Sequence, residues 1–176
     1  DADELSRLVR KTLTYEAMPS ARLTRIVHVG EYLGFGGVAD YATGTMEQIR
    51  MGTTDAGFTS LGFENPSYGA FFNTDTTLYD APDFTWPKAD MFDLLNQDIH
   101  VINHLGHGNA RYCFKINAGD SVDRQAIAAL TNSLPYLAYS QACDSGRFDD
   151  TTDCFAEQFL TAAAGAGAAI MNTRYG

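Results

Sequence analysis

Cysteine is scarce in this chain of 176 residues: Cys113, Cys143 and Cys154 are the three, and none forms a CxxC pair. A disulfide framework and a thiolate zinc cluster are therefore excluded as expectations, and an odd count leaves at least one thiol without an intrachain partner. Positive charge is scarce too. Twelve Lys and Arg stand against 22 Asp and Glu, a net charge of −10. That field repels a phosphate backbone and no Lys/Arg stripe offsets it, so nucleic acid is ruled out as a partner, whereas a basic peptide would be attracted. No apolar run approaches the roughly 20 residues that span a bilayer, and no basic segment leads into an apolar one at the start as in a signal peptide. What is present is 45% hydrophobic and 19% charged, the composition of one ordinary folded domain.

Along the chain, apolar periodicity separates helices from strands. Leu5, Leu8, Val9, Leu13 and Ala17 fall at helical spacing within DELSRLVRKTLTYEAM, and Pro19 stops the run. TRIVHVGE reads as a buried strand, followed by a GFGG loop and a helix around TMEQIRMG. Residues 52–73 lack a period and read as an irregular excursion. TTLYDA is a strand, KADMFDLLNQ a helix, IHVINHLG a strand, SVDRQAIAALTN a helix, and PYLAYSQAC a strand ending at Cys143. DCFAEQFLTAAAGAG then reads as a helix and AAIMNT as the last strand. Strands that are continuous apolar runs, alternating with helices, predict an α/β fold whose mostly parallel sheet is covered on both faces. Ligands in such sheets bind at the carboxyl ends of the strands. His107 and Cys143 each follow a predicted strand, which brings both to that edge.

A thiolate is the nucleophile in cysteine catalysis, and an imidazole can move the protons. His107 lies in GHG, where small flanking residues permit a sharp turn and close approach of a substrate. The amides of Gly108 and Cys143 would point into the site as an oxyanion hole. QACD carries part of a caspase-type signature, although His107 precedes Cys143 by less than the roughly 50 residues of that pattern. His100, His104 and His107 would share one face of a helix as a metal set, but Val101, Ile102 and Gly106 favour a strand, so no catalytic metal is expected. Cys154 reads as helix packing, and Cys113 as a loop residue without a role. Phe35, Tyr68, Phe71, Phe72 and Trp86 are candidates to line a substrate cleft, although aromatics at that density more often form core.

HVINHLGHGN, SQACDSGRFD, DCFAEQFLTAAAGAGAAIMNTRYG and the opening KTLTYE, in that order, resemble the gingipain-type cysteine peptidases. The likeness runs from about Arg10 to the C-terminus and is weakest between Gly52 and Asn73. It implies a three-layer α/β/α caspase-like sandwich and peptide hydrolysis through a thioester on Cys143, with His107 as the catalytic acid and base. The oxyanion hole would be the amides of Gly108 and Cys143. An acid that orients the histidine lies in the stretch matching VGEYLG, which implies Glu31. The family's preference for Arg or Lys implies a carboxylate in the specificity pocket, and Asp40 is the nearest candidate. The resemblance further implies residues 1–176 as a single catalytic subdomain within a larger precursor, with segments before Asp1 and after Gly176 as partners. It also implies a secreted or cell-surface location, with the cytoplasm as the alternative, and an optional structural calcium but no cofactor for catalysis. A silent caspase-like binding module and a peptide ligase using the same dyad are the competing functions. An intact GHG and QAC at one sheet edge weigh against the former.

Overall fold

The computed structural model describes residues 1–64 and 72–176. Tyr68 and Phe71 lie outside them.

Helix α1, Ala2–Glu16, starts at Asp1, whose carboxylate accepts from the N–H groups of Asp3 and Glu4 while Glu4 reaches back to the Asp1 nitrogen. This reciprocal cap satisfies donors that a helix start otherwise leaves unpaired. The apolar stripe that marks the helix in sequence does not face this chain's core, since Leu5, Val9 and Leu13 are exposed. Lys11 holds the helix instead: its buried ammonium donates to the carbonyls of Leu160 and Ala166.

The central sheet has five strands, all parallel: β1 Arg25–Gly30, β2 Asn73–Tyr79, β3 Val101–Leu105, β6 Tyr136–Ser140 and β7 Ala166–Met171, in the order β2-β1-β3-β6-β7. A short antiparallel hairpin, β4 Tyr112–Cys113 and β5 Ile116–Asn117, interrupts the alternation. The helices between strands are α2 Thr43–Met51, α3 Lys88–Leu95, α4 Ser121–Ala128 and α5 Phe155–Thr161. The chain winds outward from β1 to β2, then returns past β1 to β3, β6 and β7. Right-handed crossovers then put α2 on one face and α3 to α5 on the other. Burial agrees. Val27 and Val29 join the main core with Met91, Leu95, Ile127, Phe155 and Phe159. Ile26 and Met46 of α2 are fully buried outside that cluster. The α/β/α sandwich is thereby observed, though β6 and β7 alternate in burial where continuous burial was expected, leaving Ile170 exposed.

The last predicted helix is too long. Gly165 at φ 88° breaks the alanine-rich run, α5 ends at Thr161, and β7 begins at Ala166. The hairpin is a finding that sequence reading missed. Its two-residue loop, Phe114–Lys115, has φ of 55° and 56°, a conformation that usually selects Asn or Gly. Burial of Phe114 in the core and the ion pair from Lys115 Nζ to Asp80, at 2.7 Å, hold it there.

Candidate active site

The switch in winding direction falls between β1 and β3, and the carboxyl edge at such a point is where doubly wound sheets bind ligands. Three adjacent strands deliver residues there. Glu31 directly follows β1, His107 comes two residues after β3, and Cys143 comes three after β6. Cys143 therefore lies beyond the strand rather than at its end. Asp144, at φ 53°, turns the chain sharply just past it. His107 is exposed and Cys143 half-buried, and both line a cavity of about 380 Å³ with Leu33, Phe35, Tyr139 and Asn172.

The loops bearing them touch. A Cβ on Gly108 would lie 2.7 Å from the carbonyl oxygen of Cys143 and 2.6 Å from Cβ of Ala142, so only glycine permits the approach. Among the described residues, the N–H groups of Gly108 and Cys143 have no protein acceptor, although His107, Asn109, Ala142 and Asp144 around them all donate. Two unengaged donors beside a thiol are what an oxyanion hole requires.

The three thiols differ in environment. Burial pushes Cys113 up to about 12 and Cys154 up to about 11, so both stay protonated at neutral pH. Cys154 caps α5, its N–H donating to Glu157 at 2.8 Å. Cys113 is not a loop residue: it sits in β4, fully buried, with Sγ 3.3 Å from Ser140 Oγ. Cys143 alone is accessible to a substrate.

Behind the cavity lies a buried polar cluster. Glu31 Oε2 accepts from the backbone N–H of His107 at 3.2 Å, and Oε1 meets His104 Nε2 at 3.0 Å. His104 Nδ1 lies 2.8 Å from Ser140 Oγ, which accepts from the N–H of Ala142 at 3.1 Å. Glu31 thus acts on the backbone of His107 and on the ring of His104; among the described residues it makes no bond to the ring of His107. Sequence reading weighed His104 only as a metal ligand and did not single out Ser140. The available signal was the polar pair Asn103 and His104 inside an apolar strand, and the serine that ends YLAYS.

Asp40 stands elsewhere. Its carboxylate accepts from the N–H of Gly36 at 2.7 Å, and it is not among the residues lining the cavity. Phe35 lines the cavity; Trp86 is core, with Nε1 donating to the carbonyl of Gly30, and Phe72 stacks on His100. The three histidines diverge. His100 pairs with Tyr15, His104 with Glu31, and His107 lines the cavity. Among the described residues no group of three or more His, Cys, Asp or Glu side chains is arranged to hold a metal ion. No helix among them is long and apolar enough to cross a membrane.

The chain is thus a doubly wound parallel α/β domain with histidine and cysteine on neighbouring loops of its carboxyl edge, the architecture expected of a caspase-like fold. The family model of peptidase family C25 matches residues 1–176, and the chain belongs to that family. Among solved structures it is similar to an Arg-specific cysteine proteinase, gingipain R, with 17% identity and a TM-score of 0.71. That alignment covers 99% of this chain and 38% of the proteinase. A second structure, described as a protease, has 17% identity and a TM-score of 0.61, covering 98% of this chain and 34% of the other. At these identities the likeness shows the fold. No curated protein matches the sequence.

Proposed function

We propose that this chain is the catalytic subdomain of a cysteine endopeptidase, with Cys143 as nucleophile and His107 as acid and base. The carrying observation is that the one accessible thiol shares a cavity with an exposed histidine, beside two unengaged backbone N–H groups. In the reaction His107 takes the proton of the Cys143 thiol, the sulfur attacks the substrate carbonyl, and the N–H groups of Gly108 and Cys143 hold the developing oxyanion. Collapse forms a thioester and breaks the C–N bond, with His107 giving its proton to the departing amine. Water then attacks the thioester while His107 takes a proton from it; the C–S bond breaks, His107 returns that proton to the sulfur, and the acid product leaves. Glu31 fixes the backbone of His107 during both halves. Family membership supports the class. An intact dyad sets this reading above a silent binding module, and product masses separate hydrolysis from ligation.

A preference for Arg or Lys has the net charge of −10 and Asp40 behind it, but the carboxylate of Asp40 is engaged by Gly36 and the cavity lining contains no acidic residue. Equal cleavage of Arg-, Leu- and Asp-terminated reporter peptides would remove the preference. The partners we assign are peptide substrates and further segments of a longer catalytic unit. The outward stripe of Leu5, Val9 and Leu13 supports such packing. By family likeness we place the protein outside the cell or on its surface.

The test is labelling with acyloxymethyl ketones carrying Arg, Leu or Asp, followed by peptide mapping. A single adduct on Cys143 is expected. Silence from all three on the folded chain would put the binding-module reading first.

A further inference from the structure

We infer that His104 and Ser140 are positioning residues, which together with Glu31 tie the His107 loop to the Cys143 loop through one buried hydrogen-bonded chain. The inference rests on the peptidase reading above and adds two residues to it. The chain runs across three adjacent strands. Ala142, directly before the nucleophile, donates its N–H to Ser140 Oγ at 3.1 Å. Ser140 lies 2.8 Å from His104 Nδ1, and His104 Nε2 lies 3.0 Å from Glu31 Oε1. Glu31 Oε2 then accepts from the N–H of His107 at 3.2 Å. His104 is 0% exposed, and Glu31 and Ser140 are each 2% exposed.

One proton assignment serves every member. With Glu31 accepting at both oxygens, Nε2 of His104 is the donor to Oε1. Nδ1 can then accept the hydroxyl proton of Ser140, whose oxygen takes the N–H of Ala142. Around the ring stand Glu31, Ser140, the thiol of Cys113 at 3.8 Å from Nδ1, and Phe114 at 4.5 Å between ring centroids. The hairpin thus closes the chain off from water. Fully satisfied buried networks fix geometry, and partly satisfied ones are costly, so a cut at any link is felt at both ends. Neither His104 nor Ser140 lines the cavity. Their effect on catalysis passes through the placement of His107 and Cys143, and misplacement by about 1 Å can cost on the order of 100-fold in rate.

The experiment measures alkylation of Cys143 by iodoacetamide at fixed pH, read by peptide mapping, together with kcat and KM on a reporter peptide. Variants are Ser140→Ala, His104→Leu and His104→Gln, alone and with His107→Ala, each checked for folding by circular dichroism and melting. His107→Ala should slow alkylation at least about tenfold. Ser140→Ala and His104→Leu should slow it several-fold with wild-type His107, lower kcat with KM nearly constant, and add nothing once His107 is gone. His104→Gln, which keeps a donor for Glu31, should recover part of the rate. Equal slowing in both backgrounds, or wild-type kcat in a folded Ser140→Ala chain, would overturn the positioning role alone. If His107→Ala itself left alkylation unchanged, the peptidase reading would fail and this inference with it.

Discussion

Gly108 packs directly on Cys143: a single added methyl would stand 2.7 Å from the Cys143 carbonyl oxygen. The opposing atoms are the Cβ of Ala142 and the carbonyl oxygens of Cys143 and Tyr112, none of which can swing aside as a flexible side chain would. Gly108→Ala is therefore expected to push the two loops apart. Activity should fall by about 100-fold, and stability by about 1–3 kcal/mol, the usual cost of overpacking. Reporter-peptide kinetics and chemical denaturation check the two arms, and unchanged activity would show that the dyad tolerates a wider spacing.

The thiols should separate by function. Cys143→Ala should abolish peptidase activity with little change in stability, because Cys143 is only half-buried. Cys113→Ala and Cys154→Ala should retain activity while losing about 1–2 kcal/mol, since each empties part of a packed interior. Equal loss of activity in either would mean that the nucleophile has been misassigned.

Asp80, buried at the end of β2, accepts from the N–H groups of Tyr32 and Trp86 and pairs with Lys115. It thereby anchors the residue after Glu31, the core tryptophan and the hairpin over His104. Asp80→Ala leaves two donors and a cation unpaired, and a loss of about 3–5 kcal/mol is expected. Urea unfolding measures it; a loss below about 1 kcal/mol would show that water replaces the carboxylate.

A pH response is expected from His28. It is fully buried in β1 with Nδ1 3.0 Å from Asn103, and burial lowers its pKa to about 4. In the unfolded chain an ordinary histidine titrates near 6.5. Between those values the unfolded state binds more protons than the folded one, so acid favours unfolding. The stability contributed by a neutral His28 is complete above about pH 6.5 and declines as pH falls toward about 4. Melting temperatures across that window should fall less steeply in His28→Gln, and parallel curves would exclude His28 as the source.

Much of this was legible in one dimension. Short, β-branched or aromatic apolar runs such as RIVHVG and YLAYS read as strands of a sheet, and helices between them imply parallel crossovers. Residues after such strands must gather at one edge, which is why His107 and Cys143 could be paired before any coordinates. The Phe114–Lys115 turn was not legible, because its residues carry no turn preference and tertiary contacts alone hold φ positive. Nor was the length of α5, where Ala162, Ala163 and Ala164 suit a helix but the backbone leaves it at Ala162 and turns through Gly165 into β7.

What the sequence determined by itself, then, was the alternation of elements and the two residues that we propose as the reactive pair, since periodicity and residue chemistry are local properties of the chain. Only the tertiary structure decided what stands behind that pair. Register across β1, β3 and β6 sets Glu31, His104 and Ser140 within hydrogen-bonding distance, and register is fixed by which faces bury apolar side chains together. The same packing decided which thiol is exposed. Burial is a property of the assembled sheet and its helices, so the sequence left Cys113 in a loop where the structure buries it in β4.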